Sequence, residues 1–215
     1  MARALTFDVD AVVFDLDGTL LDSERAITEA GALAFRDIGV DVTPAQIAEH
    51  LGAPLEELYT TFSAANDERE MRHFVARYIA IHDEHPDRFP PPLPGVVEGL
   101  RALCERGLPL AVATTKPSDR ARVQLEGAGL VRWFKHIQGT DPGMKPKPAP
   151  DVVLAACKGL GVVATRALMI GDTTRDIAAG KAAGARTAVV AYAPERELLA
   201  RTWSADAVLT TLAGL

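Results

Sequence analysis

The chain has 215 residues, 48% of them hydrophobic and 24% charged, enough apolar sequence for one domain with an insertion or for two small domains. Net charge is −6 and Lys and Arg form no run, so nothing points to nucleic acid or to an anionic membrane surface. No signal peptide opens the chain and no apolar run nears membrane-span length, so a cytoplasmic protein is expected, with Cys104 and Cys157 as reduced core thiols.

In chain order, Phe7-Asp8-Val9-Asp10 reads as an exposed lead-in. Ala11-Val12-Val13-Phe14 is too short for a helix and suits a strand buried on both faces. It runs into Asp15 and Asp17, and Gly18-Thr19 ends it. From Asp22 the period becomes helical, with Ile27, Ala30, Gly31, Ala34, Phe35 and Ile38 on one face, Asp22 or Ser23 as the cap and Gly39 as the stop. A second helix starts at Thr43-Pro44 and breaks at Gly52 and Pro54. A third runs through Met71, Phe74, Val75, Tyr78, Ile79 and His82. Residues 23 to 88 carry no strand signal. The proline cluster Pro90-Pro91-Pro92-Leu93-Pro94 then favours stiff extended backbone, and Leu20–Asp22 with Phe89–Gly95 form the two sides of a hinge. This divides the chain into a core of residues 1–21 and 93–215 and a helical insert of residues 22–92, a lid able to close over Asp15 and Asp17.

Beyond the hinge, helix and strand alternate. A helix over Val96–Cys104 precedes a strand over Leu108–Thr114, and Ser118 caps the next helix. His136–Gln138 is a weak strand, and Pro150 or Asp151 opens a helix to Gly159. Ala167–Asp172 is a strand with its end loop, followed by a helix to Ala183, a strand over Thr187–Tyr192, a helix from Pro194 and a last short strand at Ala207–Leu209. Such alternation predicts an α/β fold, a Rossmann-like parallel sheet with helices on both faces, plus the inserted α-helical cap. Every strong functional candidate lies just past a strand, where ligands bind in open α/β sheets.

Two carboxylates on either side of Leu16 can share a hard cation such as Mg²⁺, and a carboxylate can attack phosphorus and carry the phosphoryl group. The string Asp15-Leu16-Asp17-Gly18-Thr19-Leu20-Leu21-Asp22-Ser23 resembles the DxDGTLxDS motif of the haloacid dehalogenase (HAD) superfamily, and the insert is similar to the small cap of its phosphoglycolate-phosphatase-like and beta-phosphoglucomutase-like members. Thr114 offers a hydroxyl to a phosphate oxygen. Thr115 stands where the family often has Asn, which leaves its phosphate contacts open. Both Lys145 and Lys147 satisfy Lys-Pro-x-Pro; Lys147 opens Lys-Pro-Ala-Pro-Asp, the family's usual form, and is preferred. An ammonium there would offset repulsion between the attacking carboxylate and phosphate. Asp172 completes the implied Mg²⁺ set with Asp15 and the Asp17 backbone carbonyl, and Asp176, one helical turn on, orients Lys147 or a water, or caps its helix.

The resemblance implies a phosphatase acting on a small phosphorylated metabolite as a monomer or homodimer. Asp15 is the expected nucleophile. Asp17 is the general acid and base, its pKa raised by crowded carboxylates. Gly18, Thr114, Thr115 and Lys147 are the expected phosphate cradle. A phosphosugar mutase would share every motif. A metal-independent haloacid dehalogenase would not need Asp172, and a non-catalytic binding module would not need the complete set. Arg25, Arg72, His73, Arg77 and Tyr78 are candidates, on chemical type, for setting specificity from the cap. The five histidines lack metal-site spacing; His82 and His85 end a helix.

Overall fold

The computed structural model describes residues 7–65 and 67–215; the first six residues of the expected core fall outside the described part. Six strands form one parallel sheet in the order β3-β2-β1-β4-β5-β6: β1 Ala11–Phe14, β2 Leu110–Ala113, β3 His136–Gln138, β4 Ala167–Gly171, β5 Arg186–Val190 and β6 Ala207–Leu209. Strand β1 is central because it is apolar at every position and buried on both faces. Val12 and Phe14 face a cluster with Val96, Leu100, Leu110 and Leu125, while Val13 faces Ala111, Met169, Val152 and Ala156 on the other side. The first cluster is covered by α5 (Val96–Glu105) and α6 (Ser118–Gly127), the second by α7 (Asp151–Leu160) and α8 (Thr174–Ala182). Chain order reverses between β1 and β4, and a crevice at such a reversal is where open α/β sheets take ligands.

Between β1 and α5 the chain is helical: α1 Glu24–Asp37, α2 Pro44–Ala48, α3 Leu55–Phe62 and α4 Glu68–Glu84. These helices enclose a separate apolar cluster of Phe35, Ile47, Leu58, Tyr59, Phe74 and Tyr78, with the Phe35 and Phe74 rings 4.3 Å apart. Thr43 and Gln46 close a reciprocal capping box at α2, as the Thr43-Pro44 signal predicts. Helix α3 was not expected. Its eight residues follow Pro54 and offer too short a run for the period to show, and tertiary burial of Leu58 and Tyr59 fixes it. The segments that enter and leave the helical insert meet, with Asp22 N–H donating to the Pro91 carbonyl and Leu93 N–H to that of Leu20, both at 3.0 Å.

Two local expectations are corrected. Ser118 is the first residue of α6 and not its cap; its hydroxyl donates to Asp141 Oδ2 at 2.7 Å and accepts from Gly139 N–H, tying α6 to the loop after β3. Cys104 lies half-buried, whereas Cys157 is buried as expected. His85 ends α4 and its Nε2 lies 3.0 Å from Glu29 on α1, while His82 sits in the last turn, buried.

Candidate active site

Strand β1 delivers Asp15 to the sheet edge with its backbone still paired: Asp15 N–H donates to the Ile170 carbonyl of β4 at 2.8 Å. The chain then coils back, Leu20 and Leu21 N–H both donating to the Leu16 carbonyl. Gly18 makes this possible. It adopts φ +77°, and a Cβ there would lie 2.4 Å from Asp172 Oδ2, so both conformation and space demand glycine. Thr19 is fully buried and donates its hydroxyl to Asp172 Oδ1 at 2.9 Å.

Lys147 reaches this edge and Lys145 does not. The Lys147 ammonium, 2% exposed, lies 2.6 Å from Asp15 and 2.5 Å from Asp176 Oδ1. Lys145 is exposed, and its backbone N–H donates to Asp151 Oδ2 at 3.0 Å. The two roles weighed for Asp176 coexist: Oδ1 holds Lys147, while Oδ2 accepts from the Thr173 N–H and hydroxyl at the start of α8. A Cβ on Gly171 would lie 2.2 Å from the Asp176 carboxyl carbon, so this approach also needs glycine.

The carboxylates of Asp15, Asp172 and Asp176 offer oxygens all within 4.8 Å of one another, and all three residues are buried. Burial pushes Asp15 up to about 7 against the opposing pull of Lys147, with Asp176 and Asp17 adding repulsion. Asp172 stands well above the ordinary carboxylate range, through burial first and then the charges of Asp176 and Asp15, and Thr19 and Arg196 offset only part of that. Burial alone would lower the Lys147 amine, but its two carboxylate partners hold it above its usual value. A site of oxygen donors with more negative charge than one ammonium balances fits a hard divalent cation. Both Asp176 oxygens are already taken, so Asp15 and Asp172 are the side chains best placed to ligate one.

Asp17 departs from expectation. Its carboxylate turns to Lys116, 2.9 Å away, whose ammonium also donates to the Gln124 side-chain Oε1. Burial raises its pKa, but the Lys116 charge and hydrogen bond outweigh that and leave it below the ordinary value. Carboxylate crowding therefore acts on Asp15 and Asp172, and Asp17 is held ionised. Thr114 is buried beside these groups, its hydroxyl oxygen accepting weakly from Lys116 N–H at 3.3 Å. Thr115 instead turns to the insert and donates to the Gly52 carbonyl at 3.2 Å.

Sequence reasoning gave no role to Thr19, Lys116, Tyr192 or Arg196. Thr19 and Lys116 sit inside strings already singled out, and there the signal was available. Tyr192 donates to the Thr19 carbonyl at 2.8 Å, and Arg196 spans from Glu24 to Asp172 at 3.4 Å each; nothing local in the sequence marks either.

Above the carboxylates, between the strand ends and the insert, lies a cavity of about 410 Å³ lined by Asp15, Asp17, Thr114 and Lys116 below and by residues of α1 to α4 above. Arg120 to Asp83, at 2.5 Å, and Arg175 to Glu57 bridge its two sides. Of the five cap candidates only Tyr78 lines the cavity. Arg25 pairs with Glu29 and Asp87, Arg72 with Glu68 and Arg77 with Asp37, all on exposed faces, and His73 is exposed as well.

A parallel sheet with a buried acid, lysine, acid chain at its switch point is the arrangement of a phosphoryl-handling α/β hydrolase core, and the comparisons agree. The chain matches the haloacid dehalogenase-like hydrolase family over residues 12–190. It is 40% identical to "Probable phosphatase IndB" of Dickeya dadantii, covering 80% of this chain and 77% of that protein. It is 34% identical to a phosphoglycolate phosphatase of Rhodospirillum rubrum, covering 88% of this chain and 83% of that one. A hydrolase from Pseudomonas syringae shares the fold with a TM-score of 0.83 at 24% identity, over 96% of this chain and 95% of that one. The protein belongs to the haloacid dehalogenase-like hydrolase family. No helix among the described residues is long and apolar enough to cross a membrane.

Proposed function

We propose that the protein is a Mg²⁺-dependent phosphatase that hydrolyses a small phosphomonoester through an aspartyl phosphate on Asp15. One observation carries this reading: the buried Asp15 carboxylate lies 2.6 Å from the Lys147 ammonium and faces a cavity large enough for an ester. Relatives named as phosphatases support the same reaction class.

In this reading an Asp15 oxygen attacks phosphorus in line and the bond from phosphorus to the leaving oxygen breaks. Lys147 and Thr114 hold the remaining phosphoryl oxygens, and Lys147 also lowers repulsion between the two anions. Gly18 leaves room for the Asp172 carboxylate beside the phosphate, and Thr115 ties the strand end to the insert through the Gly52 carbonyl. Asp17 serves the proton transfers. Its ionised form is suited to taking a proton from the water that then attacks phosphorus and frees Asp15. To give a proton to the leaving oxygen, Asp17 must first part from Lys116, which keeps the Gln124 side chain as its partner, and take up a proton from solvent before the attack. When bound, Mg²⁺ would be held by Asp15, Asp172 and the Asp17 backbone carbonyl and would neutralise charge on the transferring group. Residues 22–92 act as a cap on the core formed by residues 1–21 and 93–215, excluding bulk water while the intermediate stands.

The test is release of inorganic phosphate from a panel of phosphomonoesters with Mg²⁺ and with excess chelator. Turnover that disappears on chelation and returns with Mg²⁺ supports the reading; turnover indifferent to chelation overturns it.

A further inference from the structure

The cavity above Asp15 also constrains what the phosphate can be attached to. Among its described lining residues the insert contributes no Arg and no Lys, and its single charged side chain is that of Glu56. The core cations that reach the cavity are engaged, Lys116 by Asp17 and Arg120 by Asp83. A leaving group bearing a carboxylate or a second phosphate would meet no free cation on the insert's side, and burying it there would cost its hydration without a partner. The apolar content is high instead. Ile47, Leu51, Leu55, Leu58, Val75 and Ile79 come together from three helices and the loop between α2 and α3. They line the same space as Asp15, so this apolar surface is continuous with the attacking carboxylate.

Four polar side chains of the insert also line it, His50, Glu56, Tyr78 and His82, and one of them stands apart. His82 is 3% exposed, and among the described residues neither of its ring nitrogens has a hydrogen-bond partner, the Asp83 carboxylate lying 3.9 Å from Nδ1. Native proteins rarely leave a buried imidazole with both nitrogens unpaired, and this one lines the cavity.

We propose that the substrate is a phosphomonoester whose leaving group is uncharged and mainly apolar, seated against Ile47, Leu55, Val75 and Ile79, with one polar atom that pairs with His82. The inference rests on the phosphatase reading of Asp15 and narrows it to a substrate class. It separates this protein from a relative named for phosphoglycolate, whose leaving group is anionic.

The experiment compares phenyl, benzyl and hydroxyphenyl phosphates with phosphoglycolate and pyrophosphate under Mg²⁺, reading kcat/KM. The expected result is at least tenfold preference for the uncharged esters over both anionic ones. A further gain of roughly tenfold is expected for one hydroxyphenyl isomer over phenyl phosphate, abolished in His82→Leu, as follows when a buried polar group loses its partner. Leu55→Arg, at a half-buried position where the long side chain can settle at the cavity edge, should narrow or reverse the preference against phosphoglycolate. Faster turnover of phosphoglycolate or pyrophosphate by the unaltered protein overturns the inference while leaving the phosphatase reading intact. Binding is read separately by calorimetry with benzylphosphonate and phosphonoacetate, which need no turnover. If no ester is hydrolysed, tighter binding of benzylphosphonate still supports the apolar subsite, and tighter binding of phosphonoacetate removes it.

Discussion

Below the cavity stand Asp15 and Asp172 at strand ends, Asp176 on α8 and Lys147 on the loop between β3 and α7, each buried and each tied to another polar group. The helices above it present Ile47, Leu55, Leu58 and Val75 and, among the described lining residues, contribute no ammonium or guanidinium of their own. Burial therefore does opposite things in the two regions. Below, it strengthens the pull between paired groups and raises the pKa of the crowded carboxylates Asp15 and Asp172. Above, it supplies contact area and rejects charge. Chemistry needs fixed partners at short range, and a parallel sheet gives them by placing three strand ends within a few residues' reach. Selectivity needs only a surface of the right character, which short helices provide and can vary without disturbing the floor.

The contrast breaks most visibly at Asp15. Asp15→Asn should lower turnover roughly 10⁴-fold or more, as removal of a nucleophile does, with circular dichroism unchanged. Asp172→Asn should raise the Mg²⁺ concentration for half-activation on the order of 10²-fold, read from a metal titration of activity. Lys147→Met leaves Asp15 and Asp176 buried without their counter-charge, and denaturant unfolding should show a loss of about 3–5 kcal/mol, while Lys145→Ala should change stability by no more than ~0.5 kcal/mol. If the two lysine variants behaved alike, the buried chain of charges would not be holding the floor together.

The insert predicts smaller effects. Burial, aided by Lys116 and Arg120, depresses His82 to about 4 in the folded protein, against about 6.5 when exposed. Between those values the unfolded chain binds the extra proton, so His82 favours folding above about pH 6.5 and that contribution is lost as pH falls toward 4. His82→Gln should flatten this acid limb of Tm against pH; an unchanged limb would place the titration elsewhere. Arg120→Ala cuts a partly exposed bridge to Asp83 and should cost no more than about 1 kcal/mol.

Much of the floor was legible in the sequence because each part is a short string at a strand end: Asp15-Leu16-Asp17-Gly18-Thr19, Thr114-Thr115-Lys116 and Gly171-Asp172. Buried strands announce themselves by apolar runs, and their ends place whatever follows. The preference for Lys147 over Lys145 rests on the Lys-Pro-Ala-Pro-Asp string and its place just before a helix; in the structure Lys147 lies within reach of Asp15 and Asp176 while Lys145 faces solvent. The roof was less legible. Arg25, Arg72 and Arg77 have the right chemistry for recognising an anion, but helical phase turns them outward to acidic neighbours, and that phase depends on how α1 and α4 pack. The state of Asp17 was also hidden, because it is set by Lys116, a partner 99 residues away.

The central claim is that Asp15 itself takes the phosphoryl group. Rapid quench during turnover, reduction of the acyl phosphate with labelled borohydride and peptide mass mapping test it directly. The account predicts label on the peptide at position 15, as homoserine, in amounts that rise with substrate and vanish in Asp15→Asn. Sustained phosphate release with no label at Asp15, or label at Asp17 in its place, would contradict it.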